Sequence, residues 1–548
     1  MNKSLNIAIS LCILLNASEA LASSPIPTFD KEAVTTHPYN RTGEQDVISD
    51  KSQIETENYK PGNTGTENAP AFFVSKIELT GYQIPDKDGE LAAILAKYSN
   101  RSITMEELDE LTAEITEYCR TCGYTIPQAI IPAQEVKDGV LNVKVYVSTY
   151  DKIAIEKNTS KVADRVLYKF IEPLKSGDVI TDKKFEITMN NLNDLPGVTA
   201  KAIFTPGSQL ASTNVGINIE RRPIWNNYIF MDNGGGYYSG RYRYGFNTEI
   251  NNPGHQGDKF TINGSLTSHS VKDYGIRYET PVGSRGTRVG IGYSQSSYDI
   301  TTNNMYDSLG RSRGISVYGL TPVYRDRLNR VTAIYGFDHR KIKDEINFKD
   351  LHQRMTVADK TANLWHVGIS GSQYYPNQFL QYDTIYWFGD MSTDGGAYYD
   401  GNYHKLTGDI LKIWYDNKFN YRINGSYQLA NRALDSSEQF YLGGMNGVRA
   451  YGASDGVGDF GYLLSGEVRM KTDLKGLETA LFVDAGAAKD KANNSWDHLA
   501  GWGVGLRYEK DNDWYAKLDY SWKINGRDDR VEPENHNGRL WFQIYDMF

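Results

Sequence analysis

The sequence predicts a membrane β-barrel preceded by two small α+β units. Three observations carry that expectation. From residue 223 to residue 548 the chain runs as one alternating segment after another, apolar and aromatic on one face, polar and charged on the other. Residues 71–148 and 149–222 each read as β-α-α-β-β. Beyond the N-terminus no apolar run approaches the roughly 20 residues that a spanning helix needs; barrel strands need be apolar on one face only.

Composition agrees. A chain of 548 residues exceeds one ordinary domain, and 39 Tyr and 51 Gly against 17 Pro favour β structure. A net charge of −9 and a pI of about 5.6 argue against a nucleic-acid partner, whose binding domains are usually basic. Residues 1–22 read as a secretory signal: Lys3 is the positive end, 5–15 is mostly apolar, and Ala20-Leu21-Ala22 is a cleavage site. Cys12 lies inside the apolar core, so a lipoprotein reading fails. Export would leave Cys119 and Cys122, whose C-x-x-C spacing falls at the end of a helical run and before Gly123. Reactive pairs of this spacing sit at helix N-termini, where the thiolate is stabilised. A small structural disulfide or two buried thiols is therefore expected, and no metal site, since zinc would need two more ligands nearby.

Residues 23–70 form a polar extension and linker, within which 44–58 is the only candidate helix. In the first unit, 73–79 is a strand and 91–98 a short helix. Thr104-Met105-Glu106-Glu107 is a capping box that opens a helix burying Leu108, Leu111, Ile115 and Tyr118. Strands follow at 125–133 and 140–147, around a turn at Lys137-Asp138-Gly139. The second unit repeats the order: a strand at 152–156, helices at 162–174 and 182–195 ended by Pro196-Gly197, then strands at 198–205 and 214–220.

In the barrel region, Tyr242, Tyr244 and Phe246 oppose Arg241, Arg243 and Asn247, and Trp514, Leu518, Tyr520 and Trp522 oppose Tyr515, Lys517, Asp519 and Ser521. A soluble sandwich would turn the apolar face inward; a membrane barrel turns it to lipid. Three features favour the barrel: polar faces rich in Arg, Lys and Glu, segments long enough to span when tilted, and an alternating last strand ending at Phe548.

One stretch organises the region. A glycine-rich loop, 443–461, carries Val448, Arg449, Ala450 and Tyr451. A strand follows with Glu467 and Arg469 on its polar face. Phe482, Asp484 and Gly486 then share one face of the next strand, because side chains alternate with period two. Arg449 reads as a loop charge reaching into the barrel, Asp484 as the wall carboxylate that receives it, and Glu467 and Arg469 as members of the same network or as an ordinary cross-strand pair.

These motifs are similar to those of a known family. The tandem β-α-α-β-β units resemble POTRA domains. Together with Val448-Arg449-Ala450-Tyr451 and Phe482-x-Asp484-x-Gly486, they resemble the TpsB transporters of two-partner secretion, the haemolysin-activation and filamentous-haemagglutinin exporters. The resemblance covers about residues 72–548. It implies 16 antiparallel strands, two periplasmic POTRA domains, an outer-membrane location, a monomer in lipid, no cofactor, and a secreted TpsA-like exoprotein as partner, whether adhesin, cytolysin or toxin. It also implies that the 443–461 loop folds into the lumen, and it makes 44–58 the candidate plug helix. The family usually has Gly where this chain has Ala450, so the loop tip could differ in shape.

Capture of the exported chain is expected by β-augmentation on the edge strand of the first unit, through Thr125, Ile126, Gln128, Ala129, Ile130 and Ile131. A barrel-assembly factor shares the overall plan and is the alternative. An enzyme does not fit: the nine His are scattered, no Ser/His/Asp set is legible, and Gly234-Gly235-Gly236 lacks the Gly-Lys-Ser/Thr of a phosphate loop.

Overall fold

The computed structural model describes residues 71–548, apart from 238–239, 269–270, 302–305, 327, 350–352, 395, 454, 511–512 and 525–536. The signal, the linker and the 44–58 segment lie outside the described residues. The chain divides into two units, a periplasmic-type pair of α+β folds and a barrel.

The first α+β fold comprises β1 (Phe72–Val74), β2 (Lys76–Gly81), α1 (Glu90–Lys97), β3 (Arg101–Ile103), α2 (Met105–Thr121), β4 (Pro127–Ile130) and β5 (Val140–Val147). The expected first strand is broken at Ser75. Ser75 donates its amide to the Gly139 carbonyl and its hydroxyl to the Asp138 carbonyl, so β1 turns away to pair with β3 while β2 pairs with β5. The capping box forms as expected: Thr104 Oγ1 accepts from the Glu107 amide and Glu107 Oε2 from the Thr104 amide. That backbone hydrogen bond, more than the nearby Arg101, holds the Glu107 carboxyl below its usual pKa. The amphipathic face of α2 buries Leu108, Leu111, Ile115 and Cys119 against Leu141, Val143 and Val145.

No disulfide joins Cys119 and Cys122; both are free, which corrects the disulfide alternative. Cys119 is in the last turn of α2, and Cys122 caps it with helical backbone. Cys119 is wholly buried in the core of the first fold, whereas Cys122 is only half-buried at the helix end. Burial, reinforced by Cys122, pushes the Cys119 thiol up to about 11, so it stays protonated.

The second fold comprises β6 (Thr149–Asn158), α3 (Asp164–Ile171), α4 (Asp182–Asn193), β7 (Val198–Pro206) and β8 (Ser212–Arg221). Each fold has a three-stranded sheet with a parallel and an antiparallel pair, ordered β2-β5-β4 and β6-β8-β7. The strand preceding the last therefore lies at an edge in both.

The barrel begins with β9 (Trp225–Asp232), β10 (Arg243–Asn251), β11 (Lys259–Thr267), β12 (Lys272–Val282), β13 (Thr287–Thr301) and β14 (Tyr306–Arg325). It continues with β15 (Asn329–Phe348), β16 (Gln353–Tyr375), β17 (Gln378–Thr393), β18 (Gly401–Tyr415) and β19 (Phe419–Ala430). A small hairpin, β20 (Phe440–Tyr441) and β21 (Val457–Gly458), lies in the loop before β22 (Phe460–Lys471). Last come β23 (Leu477–Asp490), β24 (Ser495–Lys510), β25 (Trp514–Lys523) and β26 (Gly538–Met547). Sixteen of these strands close antiparallel, with β26 pairing back onto β9. The alternation fixes the register, since a slip of one residue would put every charge into lipid. Tyr244, Phe246, Ile315, Val317, Trp365, Val367, Tyr462, Leu464, Trp502 and Leu518 are exposed on the outer face, while Arg422, Glu467, Arg469, Asp484, Arg507 and Asp519 are buried inside. The wall is uneven: β14 and β15 have 20 residues each and β16 has 23, whereas β10 and β11 have 9.

Candidate functional site

The loop between β19 and β22 folds back into the barrel. The β20–β21 hairpin narrows its neck. Beyond it the Val448 amide donates to the Leu442 carbonyl at 2.7 Å, and the Gly443 amide to the Asp455 carbonyl at 2.9 Å. These bonds satisfy backbone groups that the wet lumen would otherwise have to solvate. Leu442, Val448, Ala450 and Tyr451 then pack with Ala488 and Leu499 of the wall in one buried cluster.

Arg449 leaves that cluster to face the wall. Its Nε donates to Asp484 Oδ2 at 2.8 Å and its Nη2 to Asp484 Oδ1 at 2.8 Å, a bidentate pair. Its Nη1 reaches Glu467 Oε2 at 2.9 Å and Asp519 Oδ2 at 3.1 Å. Its backbone amide also points to Asp484 Oδ2, at 3.2 Å. The guanidinium carbon stands 3.3 Å from the centroid of the Phe482 ring, a cation–π contact. Ser521 Oγ and Trp541 Nε1 each donate to the Arg449 carbonyl at 2.6 Å. Arg449 is 4 % exposed, and Asp484 and Asp519 are wholly buried.

Glu467 and Arg469 belong to this network. Arg469 Nε donates to Glu467 Oε1 at 2.5 Å. Arg507 bridges Glu467 Oε2 at 3.1 Å and Asp519 Oδ1 at 2.5 Å. Lys517 approaches Asp519 at 3.6 Å and Arg469 approaches Glu478 at 4.0 Å. Four cations, Arg449, Arg469, Arg507 and Lys517, thus face four carboxylates, Glu467, Glu478, Asp484 and Asp519. That balance matters, because breaking a buried pair by removing one partner costs about 3–5 kcal/mol.

Sequence reasoning found Arg449, Asp484, Phe482, Glu467 and Arg469, and missed Arg507, Asp519, Ser521, Trp541 and Ser465, whose hydroxyl donates to Asp484 Oδ1 at 2.7 Å. Asp519 was visible only as one polar position of an alternating strand; no local motif links it to a residue 70 positions away. A second anchor at the loop base was also missed. Glu438, in the short 3₁₀ turn Ser436–Glu438, pairs with Arg340 and with Lys405, the latter at 2.6 Å. Lys360 bridges Asp435 at 2.9 Å and Asp344 at 3.0 Å. Asp459 gathers the amides of Leu434 at 2.8 Å and Lys491 at 2.7 Å.

Ala450 adopts no left-handed backbone. Its methyl lies against Gly501, where an added Cβ would meet it at 2.6 Å. Gly501 pairs across the strands with Asp484, so a bare backbone at this point lets the loop tip reach the carboxylate. Gly503 likewise makes room for the Phe482 ring. Gly486 faces Leu442, whose Cδ2 would stand 2.7 Å from an added Cβ.

The expected capture edge is only partly open. The strand is held to Pro127–Ile130. Thr125 donates its amide to the Ile180 carbonyl of the second fold, and Ile126 packs on that fold's core. The Ile126 carbonyl accepts from Ser148, so by antiparallel alternation Pro127 and Ala129 face the free edge. Pro127 has no amide hydrogen, and the Ala129 amide donates to Thr116 Oγ1 of α2 at 3.0 Å. Gln128 is exposed, Ile130 is half-buried, and half-buried Ile131 packs on the first core. The strand expected over 125–133 is thus shortened to Pro127–Ile130.

A closed sixteen-stranded barrel, a loop folded into it and two tandem POTRA folds define an outer-membrane transport protein. Residues 211–508 match the model of the haemolysin secretion/activation proteins ShlB/FhaC/HecB, and residues 72–147 match the ShlB-type POTRA domain. The chain belongs to the ShlB/FhaC/HecB family. The heme/hemopexin transporter protein HuxB of Haemophilus influenzae is 25% identical over 497 residues, 83% of this chain and 85% of that protein. The hemolysin transporter protein HpmB of Proteus mirabilis is 21% identical over 449 residues, 76% of each chain. The solved structure of CdiB from Escherichia coli superposes with a TM-score of 0.70 at 17% identity, covering 94% of this chain and 97% of that one. The protein is an outer-membrane export pore of two-partner secretion, with its POTRA domains in the periplasm.

The contact between Ala450 and Gly501 makes a reciprocal prediction. Gly501→Ala should displace the loop tip and lower the temperature at which the folded barrel loses its compact electrophoretic form. Adding Ala450→Gly should restore it. A double variant as labile as Gly501→Ala alone would refute the pairing.

Proposed function

We propose that this pore exports one dedicated large exoprotein, taken up unfolded by the POTRA domains and released without nucleotide hydrolysis. The family and its fold support that reading. The sequence contains no phosphate loop, and the periplasm holds no ATP, so the driving free energy must come from the cargo folding outside. The relatives' names, a heme/hemopexin transporter and a hemolysin transporter, suggest a cargo of the adhesin, cytolysin or toxin kind.

Strand addition remains the capture mode that the domains suit best, and the most open edge is β7 in the second fold. The Arg222 amide bonds to the Gly197 carbonyl. By alternation Val198, Ala200, Ala202 and Phe204 direct their backbone groups away from β8. Val198 and Ala200 are taken, by the Leu195 carbonyl and by the Asn193 side chain. Ala202 and Phe204 keep theirs among the described residues, with Lys201, Ile203 and Thr205 exposed between and beside them. An extended segment adding there would gain main-chain hydrogen bonds, with Ile203 as an apolar contact.

The Arg449 network is the gate in this reading: the loop narrows the lumen until cargo displaces it. Its charges are screened less than surface charges, which favours a closed resting state.

Three outcomes are expected. Deleting the gene in its native host should remove one large protein from the medium and leave other outer-membrane barrels unchanged; a general fall in barrels would indicate an assembly factor. Ala202→Pro, which removes an edge amide, should lower the exported protein about tenfold with the barrel intact; unchanged export would move capture off β7. A disulfide tying Val448 to Ala488, which share one buried cluster, should block export until reduced; export through the oxidised form would rule out a moving gate.

A further inference from the structure

Cross-strand register places a cationic patch on the outer face of the barrel, outside the network above. Lys272 of β12 pairs with Ser297 of β13, Ser297 with Arg311 of β14, and Arg311 with Lys343 of β15. The next outward-facing row runs Tyr274, Gln295, Arg313 and Lys341. The rows below are Ile276, Tyr293, Ile315 and His339, then Tyr278, Ile291, Val317 and Phe337, beside Trp365 of β16. Two cationic rows therefore stand directly on an apolar and aromatic face. All five cations are exposed.

Their height is set by the strand. On β14 the lipid-side positions run from Ile315 to Val323, the length of one tilted membrane crossing, roughly nine to eleven residues. Arg313 and Arg311 follow at the end remote from the short β14–β15 turn. The POTRA folds precede β9, so strands enter from the periplasm and that remote end is the cell-surface end. The patch thus lies where lipid headgroups of the outer leaflet begin.

The charges are incompletely answered by protein. Lys343 pairs with Glu345 at 2.8 Å, and Asp359 stands across from Lys343 in register. Asp299 and Glu345 occupy the row beyond, away from lipid. Among the described residues, no carboxylate lies within ion-pair distance of Lys272, Arg311, Arg313 or Lys341. Arg313 is steered by Gln295, whose Oε1 accepts from its Nε at 3.1 Å and from the Tyr293 hydroxyl at 3.1 Å. A guanidinium held in this way presents its remaining N–H groups as a fork that suits a phosphate.

We propose that Lys272, Arg311, Arg313, Lys341 and Lys343 bind the phosphate groups of outer-leaflet lipid A, whose acyl chains lie along Ile276, Tyr293, Ile315 and Phe337. The complementarity commits the patch to a phosphorylated glycolipid. Cations at a bilayer surface attract anionic headgroups, each adding to the next, and the apolar rows beneath supply a docking surface for the chains.

The test uses the full chain purified in detergent and passed over a sizing column with lipid A, dephosphorylated lipid A or phosphatidylglycerol. The native protein should retain lipid A and release the other two. Arg311→Gln/Arg313→Gln/Lys341→Gln/Lys343→Gln should retain at least about tenfold less, and Arg311→Lys/Arg313→Lys, which keeps the charge and loses the fork, should retain more than that variant and less than the native chain. The double variant Arg313→Gln/Lys341→Gln, which touches only exposed side chains, should show an intermediate loss. Equal retention by the neutralised variants would overturn the proposal, as would equal retention of dephosphorylated lipid A. Equal retention of phosphatidylglycerol would overturn the assignment to lipid A.

Discussion

The buried guanidinium of Arg449 is the interaction on which the barrel interior is arranged. Taking it out of water is costly, and only close, directed carboxylates can offset that cost. Asp484 supplies two oxygens, Glu467 and Asp519 one each, and Phe482 offers its ring face. Those acids would repel one another without Arg449, Arg469, Arg507 and Lys517 among them. The geometry also explains the small residues nearby. Gly501 and Gly503 on β24 leave their Cβ positions to Ala450 and to the Phe482 ring. Charge, ring and bare backbone form one constraint, and the loop path follows from it.

The loop is held at its base as well as at its tip. Arg340, Lys360 and Lys405 come from β15, β16 and β18, whereas the partners of Arg449 come from β22, β23 and β25. The two groups of ion pairs draw on different parts of the wall, so the described loop is tied across the lumen. Displacing the tip alone would leave Glu438 and Asp435 in place. The loop is therefore held at its root and at its tip by separate sets of ion pairs.

Period-two alternation made the barrel legible, because lumen and lipid impose opposite chemistry on successive residues. The capping box and the apolar face of α2 were equally plain, being local. The pair of Arg449 and Asp484 could be anticipated from motif resemblance. Asp519, Arg507 and Trp541 could not, since their relation to the loop exists only once the strands have closed. Ala450 stood out in the sequence as a departure, but the residue that accommodates it, Gly501, is one glycine among many. The break at Ser75 depends on hydrogen bonds to the distant turn at Asp138-Gly139, and the closing of the β4 edge at Ala129 depends on the hydroxyl of Thr116. Both are tertiary facts without a local signature.

The uneven wall has a consequence for evolution at the cell surface. At 20 to 23 residues, β14, β15 and β16 rise well beyond the length of one crossing. Their upper parts are what antibodies, phages and neighbouring cells meet. Yet Asp344 and Lys360, on the inner side of the same tall segment, hold the root of the loop. Above the cationic rows, each outward-facing residue is free to drift under immune pressure while its inward neighbour is not. Antigenic variation in this rim should therefore carry a two-residue rhythm.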